Sequence, residues 1–125
     1  MTVEQAVQSA LAGHSGLTSI VPASRIRVAG EHVELADPYV IHGPDREKTG
    51  VYLGGGYSAA RMYEYSISVF ARSLAVANQA AEQARLALGS ISGGATAIVD
   101  GSAATYDADA RLHAITIEAR ISIAP

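Results

Sequence analysis

The chain has 125 residues, no cysteine and a formal net charge of −3, with 49% of its residues hydrophobic. Without cysteine there is no disulfide framework, zinc–thiolate site or thiol nucleophile. The acidic balance and the absence of any run of Lys or Arg exclude sequence-specific nucleic-acid binding, and no apolar run approaches membrane-spanning length.

One domain over residues 1–125 is expected at this length, with a core that closes without metal or disulfide staples. Much of the hydrophobic fraction is alanine, so that core is thin. The N-terminus lacks a signal-peptide pattern, which predicts a soluble protein of the cell interior or of something assembled there. Thr2 and Gln5 form a T-x-x-Q capping box. Val3, Ala6, Val7, Ala10 and Leu11 follow at helical spacing, predicting a short helix that Gly13 ends. Leu17, Ile20 and Val21 read as an apolar turn that plugs one end of the core before Pro22. Arg25–Val28 predicts a short strand, with Ile26 and Val28 on one face and two arginines on the other.

Ala29–Asp37 is polar and mixed, and reads as loop. Pro38 opens the next element, where it removes only a terminal donor, and Tyr39–His42 reads as a compact strand. Gly43–Ala60 reads as a long loop between two sheet strands, with a loose hairpin as the alternative: a charged turn over Gly43–Gly50, then Val51–Leu53, then Gly54, Gly55 and Gly56. A loop of that length in a small domain is functional or disordered. Arg46, Lys48, Tyr52 and Tyr57 are its expected interface residues, because aromatic side chains contribute large contact area.

Arg61–Arg72 alternates strictly. Tyr63, Tyr65, Ile67, Val69 and Ala71 share one face, and Met62, Glu64, Ser66, Ser68, Phe70 and Arg72 share the other. Such alternation marks a sheet with one face dry and one wet. Ser73 then caps a helix over Leu74–Leu88, and Gly89 stops it. Its stripe is Leu74, Ala77, Ala81, Ala84 and Leu88, widened by Val76, Ala80 and Ala87. Ala95–Val99 predicts a strand, Asp100-Gly101 a turn, and Thr105-Tyr106 a short pairing segment. Ala110–Ala124 is a second long alternating strand, with Ile115, Ile117, Ala119, Ile121 and Ile123 on its dry face. It matches Arg61–Arg72 in length, so the two are expected to pair antiparallel with their wet faces together. The fold class that follows is α+β: an antiparallel-rich sheet with one face covered by two helices.

No catalytic constellation survives inspection. Gly43-Pro-Asp-Arg-Glu-Lys-Thr49 lacks the glycine before its lysine, and Glu47 there would repel phosphate. Gly13-His-Ser-Gly16 and Gly56-Tyr-Ser58 carry only part of a nucleophile elbow. His14, His32, His42 and His113 lack metal-site spacing. His42 and His113 are candidate neighbours in the sheet, although a sheet-packed histidine is the safer reading. Asp100, Asp107 and Asp109 lack the spacing of a calcium loop. Glu64 and Glu118 would be paired acids if they faced each other; the alternative is a solvated face shared with Arg72 and Arg120. No cofactor, metal or catalytic residue is expected.

The ordered pattern of a short helix, an "RIRV" strand, "DPYVIHG", a long polar loop, "YSISVFAR", "ANQAAEQARLAL" and a closing hydrophobic strand resembles the tail-completion, or tail-terminator, proteins of long-tailed bacteriophages. Pro38–Ile41 answers the family's "PYIVY"-like strand, and Tyr63–Leu88 its strand followed by an Ala- and Arg-rich helix. The resemblance covers nearly the whole chain, which departs from it by closing on Ile121-Ser122-Ile123 where the family is often aromatic-rich. It implies a structural virion protein, assembled in the host cytoplasm, that forms a ring, commonly six-fold. Such a ring terminates the tail tube and joins it to the head-side neck, with DNA passing through. The implied partners are copies of itself, the tail tube protein and a neck or connector protein, without membrane. Glu64, Ser66, Ser68, Thr116 and Glu118 are then expected to face the channel or a neighbour. The rival reading is a small non-catalytic bacterial ligand-binding or adaptor domain acting as monomer or dimer, and within the phage class a minor tail or neck adaptor protein is the near neighbour.

Overall fold

Two strands with the same period-two pattern bury their apolar sides together only when they pair in register. A computed structural model describes residues 2–30, 35–48, 52–53, 56–57, 61–92 and 94–123. In it β5 (Arg61–Ala71) and β7 (Leu112–Ile123) run antiparallel along their whole length, with Ile67 opposite Ile117 and Val69 opposite Ile115. On the other side of β5 lies β2 (Tyr39–Lys48), antiparallel to it, and beyond that β1 (Ile26–Val28), parallel to β2. The far side of β7 carries β6 (Ala95–Asp107), antiparallel to it. The sheet order is therefore β1-β2-β5-β7-β6, and β3 (Tyr52–Leu53) pairs with β4 (Gly56–Tyr57) as a separate small hairpin.

Helices cover one face. Helix α1 (Val3–Ala12) opens with the capping box: Thr2 Oγ1 accepts from Gln5 N–H at 3.2 Å, and Gln5 Oε1 accepts from Thr2 N–H at 2.9 Å. A four-residue helix α2 (Ser15–Thr18) follows, and Leu17 and Val21 close one end of the core. Helix α3 (Leu74–Leu88) is capped by Ser73, whose Oγ accepts from Val76 N–H at 3.3 Å. It buries Ala77, Ala80, Ala81, Ala84, Ala87 and Leu88, and short side chains let its axis lie close over β5 and β7. α1 lies over β1 and β2. The core joins Val7, Leu11 and Ile26 to Tyr65, Ile67, Ile117 and Ile121, all fully enclosed.

The structure departs from the sequence expectations at three places. The charged turn over Gly43–Gly50 is strand through Lys48, since β2 runs ten residues. A register shift between Pro44 and Arg46 admits Pro44 at a bulge, and cross-strand pairs of Arg46 with Glu64 and of Glu47 with Arg61, both at 3.8 Å, carry the charges onward. β6 is likewise one strand of 13 residues; the Asp100-Gly101 signal is a bulge between Val99 and Gly101, not a turn. Leu74 stands in the helical stripe yet stays 48% exposed, because the buried contacts of α3 begin at Ala77.

Among the described residues His42 is the buried polar side chain of the core. Gln8 Nε2 donates to Ile26 O at 2.9 Å, which turns Gln8 Oε1 toward the imidazole. His42 Nε2 donates to that oxygen at 2.7 Å, and Nδ1 accepts from the Tyr65 hydroxyl at 2.6 Å. Both ring nitrogens are thereby satisfied with the imidazole neutral. The network ties α1 to β1, β2 and β5. Burial pushes the His42 pKa down to about 4, against a smaller opposing effect of Glu4. Burial likewise raises that of Tyr65.

Two outcomes test this core. Ile117→Ala, at a fully enclosed site, is expected to lose about 2–5 kcal/mol in urea unfolding. Ile98→Ala, at a site 57% exposed, should stay within about 0.5 kcal/mol. A larger loss from Ile98→Ala than from Ile117→Ala would mean that the buried and open faces are exchanged.

The second outcome concerns pH. Above the ordinary histidine value of 6.5, folded and unfolded chains both hold His42 neutral, and stability is full. As pH falls from 6.5 toward 4, the unfolded chain takes up a proton that the folded chain excludes. About 3 kcal/mol should be lost across that window. His42→Leu should lower stability at pH 7 and remove most of this slope; an unchanged slope would show that other groups carry it.

Candidate functional site

Strands lie about 4.8 Å apart and packed helices about 10 Å apart, so two helices cover roughly four strands on one side of a sheet. Here α1 and α3 lie on the same face, which leaves the opposite face of β2, β5 and β7 as an open polar wall.

The wall is organised in rows across the strands. Glu64 stands opposite Arg120, Ser66 opposite Glu118, and Ser68 opposite Thr116. The five residues expected on one wet face, Glu64, Ser66, Ser68, Thr116 and Glu118, therefore do share a face. Glu64 and Glu118 are not a facing pair, however: each lies across from a residue that does not repel it. The Ser68 and Thr116 hydroxyls bond at 2.9 Å. Ser66 Oγ lies between two carboxylates, donating to Asp45 and standing 3.2 Å from Glu118 Oε2. Arg46 pairs with Glu64 at 3.8 Å. Arg120 reaches both carboxylate oxygens of Asp100, with Nε at 3.0 and 3.1 Å. At the far end of the wall Tyr39 stacks on Phe70 with ring centroids 4.8 Å apart. The Tyr39 phenol is held above its ordinary pKa by burial first, then by the charges of Asp107 and Asp37.

Exposed ion pairs of this kind contribute about 0–1 kcal/mol each to stability. Their larger effect is to neutralise the wall's cations: Arg46 and Arg120 both have carboxylate partners on it. Of the other expected interface residues, Lys48, Tyr52 and Tyr57 have side chains outside the described residues. Their backbones are placed, with Lys48 opposite Met62 and Tyr52 opposite Tyr57.

The histidines do not assemble. His42 lies opposite Ile67 inside the core network, whereas His113 lies opposite Ala71 and stacks at a tilt on Tyr106 at 4.6 Å. His14 Nε2 contacts Gln83 Oε1 at 3.0 Å and ties α2 to α3; nothing in the sequence pattern announced that tether. Among the described residues no group of three or more His, Asp or Glu gathers as a metal site. An open groove of about 570 Å³ runs between α2 and α3, and its ionisable lining residue, Glu82, is paired with Arg85 at 3.5 Å. Among the described residues no helix is long and apolar enough to cross a membrane.

Residues 5–124 match the family model described as tail completion protein gp17. No curated protein sequence matches the chain. Among solved structures, a chain from the virion of a native gene transfer agent particle superposes with a TM-score of 0.75 at 22% identity, over 97% of this chain and 93% of that one. At that identity the likeness speaks to the fold.

Proposed function

The chain belongs to the tail completion protein gp17 family, and from that premise we propose that it is a structural protein of a phage-like virion, forming a ring of six copies that closes the tail tube. The ring joins the tube to the head-side neck, and DNA passes through it. The observation that carries this reading is the family match over residues 5–124. The chain would assemble in the host cytoplasm onto the tail tube protein, with a neck or connector protein on its other side.

On this reading the open sheet wall, with Glu64, Ser66, Ser68, Thr116 and Glu118, faces the channel. Two features support the placement. The wall carries Asp45, Glu64, Asp100 and Glu118 against Arg27, Arg46 and Arg120, and its arginines are engaged in pairs or hydrogen bonds. A lining with more carboxylates than these arginines, and with the arginines engaged, releases few counterions from DNA and so holds it weakly. Width also agrees. Five strands give about 24 Å of wall per copy, so six copies enclose a wall about 45 Å across, which leaves a passage for a duplex. The tip of the β2–β5 hairpin, with Arg46, Lys48, Tyr52 and Tyr57, is the proposed contact with a neighbouring subunit or tail protein.

A reconstruction of the particle, or native mass measurement of tails, should show a closed ring of this chain at the head-side end of the tube. A chain that stays monomeric in solution and never appears as a ring in tails would overturn the reading. Charge at the wall gives a separate test. Ser68→Lys adds one lysine per copy, hence six to a ring, and contacts of about that number shift DNA affinity by orders of magnitude. Tails should still assemble while DNA delivery falls about tenfold or more; unchanged delivery would remove the wall from the channel.

A further inference from the structure

The two edges of the sheet are unlike. At the β1 edge the chain occupies the outward groups of Ile26: its N–H donates to Ala23 O, and its O accepts from Gln8 Nε2. The β6 edge is open along 13 residues, and from Asp100 to Asp107 every side chain is exposed on both faces. Gly101–Tyr106 carries no charge and no proline, the devices that normally protect an edge from pairing. Among the described residues no helix packs over β6 as α3 does over β7. Two of the large apolar side chains left in solvent, Ile98 and Tyr106, lie on this strand.

We propose that β6 of one copy packs against the β1 flank of the next copy, so that the sheets of the ring form one continuous wall. This rests on the ring reading above. Rotational symmetry that closes a ring requires two different surfaces in contact, and side-by-side sheets are the arrangement that turns every open face toward the axis. The register brings the two surfaces level. Ile26 lies across from Val40, then Val69, Ile115 and Ala104, and Val28 leads in the same way to Ser102. The residues of β1 thus meet the middle of the uncharged stretch when copies are related by rotation alone. Polarity is also favourable, because β1 and β6 run in opposite directions within the sheet.

Charge points the same way. Ala95–Ala110 carries Asp100, Asp107 and Asp109 and no Lys or Arg, whereas Pro22–Gly30 carries Arg25 and Arg27 and no Asp or Glu. A pairing of β6 with β6 of a second copy is disfavoured on the same ground. Centring Gly101–Tyr106 on itself would place Asp100 opposite Asp107 twice, and like charges across a ladder repel.

Because the chain has no cysteine, the contact can be read by cross-linking. Ala29→Cys and Ala103→Cys, both at exposed sites, are combined in one chain, and assembled tails are treated with a short bis-maleimide. The expected result is a covalent ladder on a denaturing gel that reaches the full copy number of the ring, with each single variant remaining monomeric. Ser24→Cys with Thr105→Cys, also exposed, gives an independent pair if the first impairs assembly. Covalent dimers from Ala103→Cys alone would show β6–β6 pairing and overturn the proposal. Intact rings without a ladder from either pair would place the contact elsewhere while leaving the ring standing. Absence of any ring in tails would remove the function and this contact together.

Discussion

The in-register ladder between β5 and β7 is the constraint on which the rest depends. Ile67 opposite Ile117 and Val69 opposite Ile115 put the branched side chains of both strands on one side. A slip of one residue would turn every one of them to solvent. Once that side is dry, α1 and α3 have one place to lie, and the polar rows of Glu64, Ser66 and Ser68 have one direction to face. Packing in the core and the chemistry of the open wall are consequences of a single register.

That register was legible because nothing interrupts the alternation from Tyr63 to Val69 or from Ile115 to Ile123. The capping box of Thr2 and Gln5, the Ser73 cap and the alanine stripe were legible for the same reason, since each is a local spacing rule that the fold obeys locally. What misled was punctuation. Pro44 and Asp100-Gly101 are turn chemistry, yet both sit at bulges inside long strands. A bulge and a turn use the same residues, because both need backbone angles that a regular ladder does not supply. Only the partner strand decides between them, and the partner is not adjacent in sequence. The open face was readable as polar, while its pairing of Arg120 with Asp100 and of Ser66 with Asp45 depends on bulge geometry and was not.

Buried polarity in this protein serves position. Val7 and Leu11 can press α1 onto the sheet in more than one rotation, because apolar contact is not directional. The chain of hydrogen bonds from Ile26 O through Gln8 and His42 to Tyr65 admits one. It also occupies the Ile26 carbonyl that would otherwise face outward at the sheet edge. The same interaction therefore sets the helix and closes one of the two edges, which is the origin of the asymmetry between the β1 and β6 sides.

In the proposed ring, that asymmetry would let a small domain assemble without aggregating as a free subunit. A sheet open at both edges offers itself to any like strand. A sheet closed at both edges has side chains alone with which to meet a neighbour. Here the open edge is β6, flanked by Asp100 and Asp107, which repel a second β6. The closed edge is β1, flanked by Arg25 and Arg27, which attract it. Acids and arginines placed at these two ends disfavour the dimer that would compete with ring closure while leaving the rotationally related contact permitted. On the open face between the two edges, Arg46 and Arg120 are spent on carboxylates. The net charge of −3 is thus distributed so that the edges carry unlike charge, as the proposed contact between copies requires.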